Sequence, residues 1–234
     1  MKKTEILRSL IPSAIFCFKY LPLRQAIKIP ICVYKIDNLG GGGKIEIDCE
    51  NIYRGMIQLG FPRAATYPNS GVVWRNKGRV VFKGRCVIGN DCSVIVGKQA
   101  KLVIGDLFHV NAGLKLVTEC SVTFGPRVLL GWGVTIIDTN FHYVYDIEKQ
   151  TNKRAFAPIN IGADNWISTE CLVLNGVNTP QGCIFGAKTV ITRNYKMEPY
   201  CLYGGSPMRL LSRNVMRRYG KDCITDYTYK EDDC

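Results

Sequence analysis

The chain of 234 residues contains two histidines, His109 and His142, and they bound the chemistry open to it. An imidazole changes charge near physiological pH, so either ring could take a proton from a hydroxyl or an amine as a general base. A catalytic zinc site made only of histidines needs three, and two histidines 33 positions apart cannot supply it. The eleven cysteines include no CxxC pair and no cluster with ligand spacing. Metal-free chemistry is therefore expected. The run Gly40 to Gly43 followed by Lys44 is not a phosphate loop, because Ile45 stands where Ser or Thr is required. It reads as a flexible turn leading into the first strands.

The elements that must position these residues follow a period of six. Large apolar residues recur at Ile161, Ile167, Val173, Phe185 and Ile191, with Thr179 the one polar exception. A smaller residue follows four places after each, at Asn165, Cys171, Val177, Cys183 and Thr189. The same rhythm runs through Phe82, Ile88 and Val94, then Ile104, Val110, Leu116 and Val122, and rephases to Phe124, Leu130 and Ile136. Residues two apart share one face of a strand, so both slots of the repeat point inward. Glycine often follows the large residue and allows a tight corner, so three short strands make a triangular coil and stacked coils bury an apolar column. Five cysteines (Cys86, Cys92, Cys120, Cys171 and Cys183) fall in the small inward slot, where a thiol packs as a small hydrophobe. His109 lies inside the rhythm next to Phe108 and reads as structural. His142 stands where the period fails, at the start of an aromatic and basic stretch, 138–158, that a solenoid must extrude as a loop.

The net charge of +12 is uneven: seven Lys/Arg against one Glu between Met1 and Lys35 carry half of it. Such a segment suits peripheral contact with an anionic membrane surface. No nucleic-acid-binding motif accompanies it, and no nucleic-acid partner is expected. The apolar run Leu10 to Phe18 is far shorter than the ~20 residues of a membrane span, and no small-residue cleavage site follows it. A cytoplasmic protein, at the inner face of the membrane, is expected.

Four landmarks carry a family resemblance: Ile137 to His142, Asn165-Trp166-Ile167, Gly186-Ala187, and Gly204-Gly205-Ser206-Pro207-Met208-Arg209. With the repeat around them, residues 80–212 resemble the bacterial hexapeptide-repeat acetyltransferases, in particular the maltose, galactoside and capsular-polysaccharide O-acetyltransferases. The resemblance implies a left-handed coil, acetyl-CoA as acyl donor and His142 as the catalytic base. It matches Asn111 and Glu119 to substrate-side positions and places Asp138 beside them, to orient the ring or the loop. For the CoA arm and its phosphates it implies Trp166, Thr169, Ala187, Lys188, Thr192, Arg193 and Arg209. It also implies a homotrimer in which the extruded loop covers a neighbour's site. Ser168, Lys188, Thr189 and Thr179-Pro180 depart from the family pattern, and Lys188 stands where a CoA-facing glycine is usual.

The expected architecture is an all-β solenoid, a left-handed parallel β-helix of hexapeptide repeats over 68–203. An irregular basic segment, 1–67, should precede it, and a C-terminal region, 204–234, should hold a short helix from Met208 to Tyr219. The expected reaction is acetyl transfer to a hydroxyl of a sugar or polysaccharide precursor. The rivals are N-acetylation of an amino sugar and a non-catalytic scaffold.

Overall fold

The computed structural model describes residues 3–38 and 40–218. Its body is a three-sided stack of parallel strands. The first face is built from Ile31–Val33, Ile57–Phe61, Cys86–Asn90, Phe108–Ala112, Leu129–Leu130, Trp166–Ile167, Ile184–Phe185 and Cys201–Gly204. The second holds Ile36–Asn38, Val72–Asn76, Cys92–Val96, Lys115–Thr118, Thr135–Ile137, Leu172–Val173 and Val190–Ile191. The third holds Lys44–Ile47, Arg79–Phe82, Lys101–Ile104, Ser121–Phe124, Ile159–Ile161 and Asn178–Thr179. The chain visits the faces in that order and climbs one strand per turn.

Every large inward residue named by the repeat is buried, including Thr179, and the inward residues of successive turns stack in register. Ile88, Val110, Leu130, Ile167, Phe185 and Tyr203 form one continuous column. Of the five cysteines expected inside, Cys86, Cys92, Cys171 and Cys183 are buried, whereas Cys120 is only half-buried at a corner. Burial pushes the Cys92 thiol up to about 12 and that of Cys183 to about 11, so both are inert packing groups. The shift from Val122 to Phe124 is no break in the core: both side chains point inward from one strand.

The glycines after large residues serve close approach, not an unusual backbone angle. A Cβ on Gly89 would lie 1.7 Å from the Asn111 carbonyl oxygen of the next turn. The left-handed angles sit two residues further on, in the column Asp91, Gly113, Gly133, Glu170 and Lys188 at the first–second edge. There the Gly113, Gly133, Glu170 and Lys188 N–H groups each donate to a carbonyl of the preceding turn.

Two boundaries differ from the sequence-based expectation. Residues 1–67 do not form an irregular segment: two helices, α1 (Lys3–Tyr20) and α2 (Leu23–Ala26), cap the open end, and coil strands begin at Ile31. The sequence pattern concealed α1 because its buried face carries Ser9, Ser13 and Cys17 and because Pro12 lies inside it. Those polar groups satisfy the unpaired edge of the first turn. Ser13 Oγ accepts from Val33 N–H at 2.9 Å, and the Cys17 thiol donates to the Ile31 carbonyl at 3.3 Å. At the other end, the expected helix is replaced over Arg209–Arg213 by a strand antiparallel to Cys201–Gly204. Residues 214–218 are irregular, and Tyr219 lies outside the described residues.

Candidate active site

The extruded loop leaves the coil between Thr135–Ile137 and Ile159–Ile161, at the edge joining the second and third faces. Its neck is a short antiparallel ladder. Asn140 N–H donates to the Ala155 carbonyl at 2.7 Å, Ala157 N–H donates to the Asp138 carbonyl at 3.0 Å, and Thr139 bridges Phe156. Asn175, one turn on, braces the neck by donating from Nδ2 to Asn140 Oδ1 at 2.8 Å. Beyond the neck a hairpin pairs Val144–Asp146 with Thr151–Lys153. The hydrogen bond from Lys149 N–H holds the Asp146 carboxyl below its ordinary range, with help from the Lys153 ammonium.

His142 sits immediately past this neck, exposed, between the exposed side chains of Phe141 and Tyr143. Phe141 takes a left-handed angle, φ 57°, and its N–H bonds Thr139 Oγ1 at 3.0 Å. The imidazole is thus presented to solvent just beyond a hydrogen-bonded base.

His109 is different. It points outward from the first face with Nε2 2.7 Å from Asn111 Oδ1. Burial drives its pKa down to about 4, against the opposing Asn111 bond, so the ring is neutral at physiological pH.

Asp138 is not placed to meet a substrate. It is fully buried and accepts three bonds: from Thr118 Oγ1 at 2.5 Å, Glu119 N–H at 2.8 Å and Cys120 N–H at 2.9 Å. The carboxylate ties the root of the loop to the corner of the turn below. Glu119 lies exposed at that corner, its carboxylate against Gly97.

The remaining expected residues fall into two groups. Glu119, the loop root, Thr192 and Arg193 line the second–third edge, where the Arg193 stem packs on Gly176. Asn111 and Trp166 face outward from the first face, and Thr169, Ala187 and Lys188 follow on its edge with the second. Arg209 is exposed at the start of its strand, opposite Gly204. Within one chain the second face separates the groups.

Two residues at the first–second edge escaped the sequence reading. Trp132, 40% exposed between Gly131 and Gly133, projects on the turn below Thr169. Tyr67 lies over Gly113 and Gly133, and burial, reinforced by the Glu170 charge, raises its phenol pKa. The loop carrying Tyr67 is pinned by Asn90, whose side chain bonds the backbone of Arg63, Ala64, Tyr67 and Pro68. A large residue between two glycines was a readable signal for Trp132. Nothing local marks Tyr67.

No protein-family model matches the chain. Among solved structures, that of the polySia-specific acetyltransferase NeuO superposes with a TM-score of 0.50 at 19% identity, covering 81% of this chain and 91% of that one. The chain has the left-handed β-helix fold of the hexapeptide-repeat acetyltransferases. Sequence agrees. The galactoside O-acetyltransferase of Escherichia coli (strain K12) is 29% identical over 108 residues, which are 46% of this chain and 52% of that protein. An uncharacterized 24.8 kDa protein of the cps region of Klebsiella pneumoniae is 24% identical over 148 residues, 63% of this chain and 64% of that protein. The match thus spans about half the length of the galactoside enzyme.

Proposed function

We propose that the protein moves an acetyl group from acetyl-CoA to a hydroxyl of a sugar, in the synthesis of a capsular polysaccharide, exopolysaccharide or glycoconjugate. The observation that carries this reading is His142, held exposed just beyond a braced neck at a β-helix edge that also carries Glu119 and Arg193. In the reaction His142 takes the acceptor hydroxyl proton while the oxygen attacks the thioester carbonyl. The tetrahedral oxyanion then collapses, the C–S bond breaks, and the imidazolium returns the proton to the departing thiolate. A polysaccharide or glycoconjugate acceptor fits the names of the relatives, a galactoside O-acetyltransferase and a polySia-specific acetyltransferase.

The CoA arm is assigned to Thr169, Ala187, Lys188 and Thr192, flanked by Trp166, and its phosphates to Arg193 and Arg209, where a guanidinium fork is suited. These residues lie on two edges of one chain, so the reading includes a homotrimer that joins one edge to a neighbour's. Support comes from the outside of the second face, where Ile95, Val117 and Ile137 form a half-exposed aliphatic column. The location proposed is the cytoplasm, at the inner face of the membrane.

The test is turnover of acetyl-CoA with sugar hydroxyl and amino-sugar acceptors side by side. His142→Ala should lower kcat by roughly 10²–10⁴ with an unchanged circular dichroism spectrum, the usual worth of a general base. A variant that retains the wild-type rate would remove His142 from the role. A preference for amine acceptors would replace O-transfer by N-transfer.

A further inference from the structure

Helix α1 carries a second apolar face that nothing in the described chain covers. Leu7, Ile11, Ile15 and Phe18 recur at helical spacing opposite the buried Ser9, Ser13, Phe16 and Cys17. Leu23 and Ile27, four apart across α2 and its C-cap, add to the exposed set, and all six side chains are 54 to 73% exposed. An apolar surface of this extent with a charged rim is the signature of an interaction site. The rim is cationic: Arg8, Lys19, Arg24 and Lys28 are all exposed, and the one acid among residues 3–36, Glu5, is partly buried.

We propose that this face lies in the headgroup layer of an anionic lipid bilayer and attaches the protein peripherally. The inference deepens the proposed inner-face location and does not depend on acyl transfer. Charge decides between the possible occupants. A second copy docked face to face would set the four cations of one rim against those of the other, whereas an anionic membrane complements them. The helix lies on the surface rather than across it, since no helix of the described residues is long and apolar enough to span. Nor can it leave the coil freely, because Ser13, Cys17 and Gln25 satisfy the first turn's backbone at Val33, Ile31 and Ile47. The apolar side chains are therefore offered as a preformed rigid face, and the ordering cost of binding is already met.

The experiment is flotation of the full chain with vesicles of phosphatidylcholine alone and of phosphatidylcholine with about one third phosphatidylglycerol. Wild type should float with the anionic vesicles and lose most binding in about 1 M salt, where the Debye length falls to about 3 Å. Arg8→Gln with Lys19→Gln should weaken partitioning about 25-fold, at about fivefold per cation. Ile11→Ser with Ile15→Ser should weaken it roughly tenfold or more. These positions are exposed, so the melting temperature should hold in both variants. Turnover on a soluble acceptor should also hold, so loss of binding and failure of the acyltransferase reading are separately visible. Equal flotation with both vesicle types, or no effect of either pair, would overturn the proposal. So would a fall in the mass of the assembly in the Ile11→Ser, Ile15→Ser variant, which would make a second copy the occupant.

Discussion

Replacing Asp138 by Ala distinguishes a carboxylate that touches the acceptor from one that builds the site. The side chain is fully buried and accepts from the Thr118 hydroxyl, Glu119 N–H and Cys120 N–H. Alanine leaves those donors facing a small void. Each buried donor stripped of its partner costs about 1–3 kcal/mol, and partial access of water at the corner lowers the sum to about 2–5 kcal/mol. For a chain of this size 1 kcal/mol moves Tm by about 2–4 °C, so the midpoint of thermal denaturation should fall by about 4–20 °C. The loop root loses its tie at the same time, so His142, four residues on, should be misplaced and kcat should drop by an order of magnitude or more. The KM for the sugar should change little. Circular dichroism melting with steady-state kinetics below the new midpoint supplies both readouts. An unchanged Tm with a raised acceptor KM would refute the structural role and return Asp138 to the substrate.

Three further outcomes follow from the assigned positions. Arg209→Ala should raise the KM for acetyl-CoA more than it lowers kcat, because a phosphate contact lies far from the reacting carbonyl; an unmoved donor KM would place Arg209 elsewhere. Lys188 holds a left-handed angle, φ 61°, and an exposed 3.4 Å ion pair with Glu170. Lys188→Gly should therefore stabilise by about 0.5–1 kcal/mol in a thermal melt, since the relief of strain exceeds the worth of a surface pair. Sedimentation equilibrium should give three times the 26.2 kDa of one chain, and an active species at the single-chain mass would end the shared-site reading.

The repeat was legible where the turns are shortest. Ile167 to Phe185 and Phe185 to Tyr203 are 18 residues each, three sixes, and here the spacing gives fold and inward slots together. Earlier turns take 29 residues from Leu59 to Ile88 and 22 from Ile88 to Val110, and the extra residues sit at corners. A strand's inward alternation survives such insertions, but its phase relative to the next strand does not, so the first turn and the strand Ile57–Phe61 that opens the second were invisible to a period of six. The C-terminal helix failed for another reason. Leu210 and Leu211 between arginines read equally as a helix face, but Cys201–Gly204 would otherwise be a bare edge, and pairing with Arg209–Arg213 covers it.

The sequence offers candidate site residues by type and spacing, but it does not show where the coil places them. The break in the repeat located His142, because a long insertion must leave the coil, and the loop does leave it there. Asp138, four residues earlier, has the same sequence credentials as a solvated loop carboxylate. What decides its fate is the corner one turn below, where the Glu119 and Cys120 N–H groups both donate to its carboxylate. That pairing comes from stacking, 18 or 19 residues back in the chain, and no local pattern encodes it. Edge assignment is non-local in the same way. Thr169 and Thr192 are both polar residues just after a short apolar strand, yet one follows a strand of the first face and the other a strand of the second. Two successive turns of the coil therefore place one on each side of the second face. If both hold one CoA, the site closes only when a neighbouring chain brings its edge across that face, which makes catalysis and assembly one equilibrium: dilution that separates the chains should abolish turnover in step with mass.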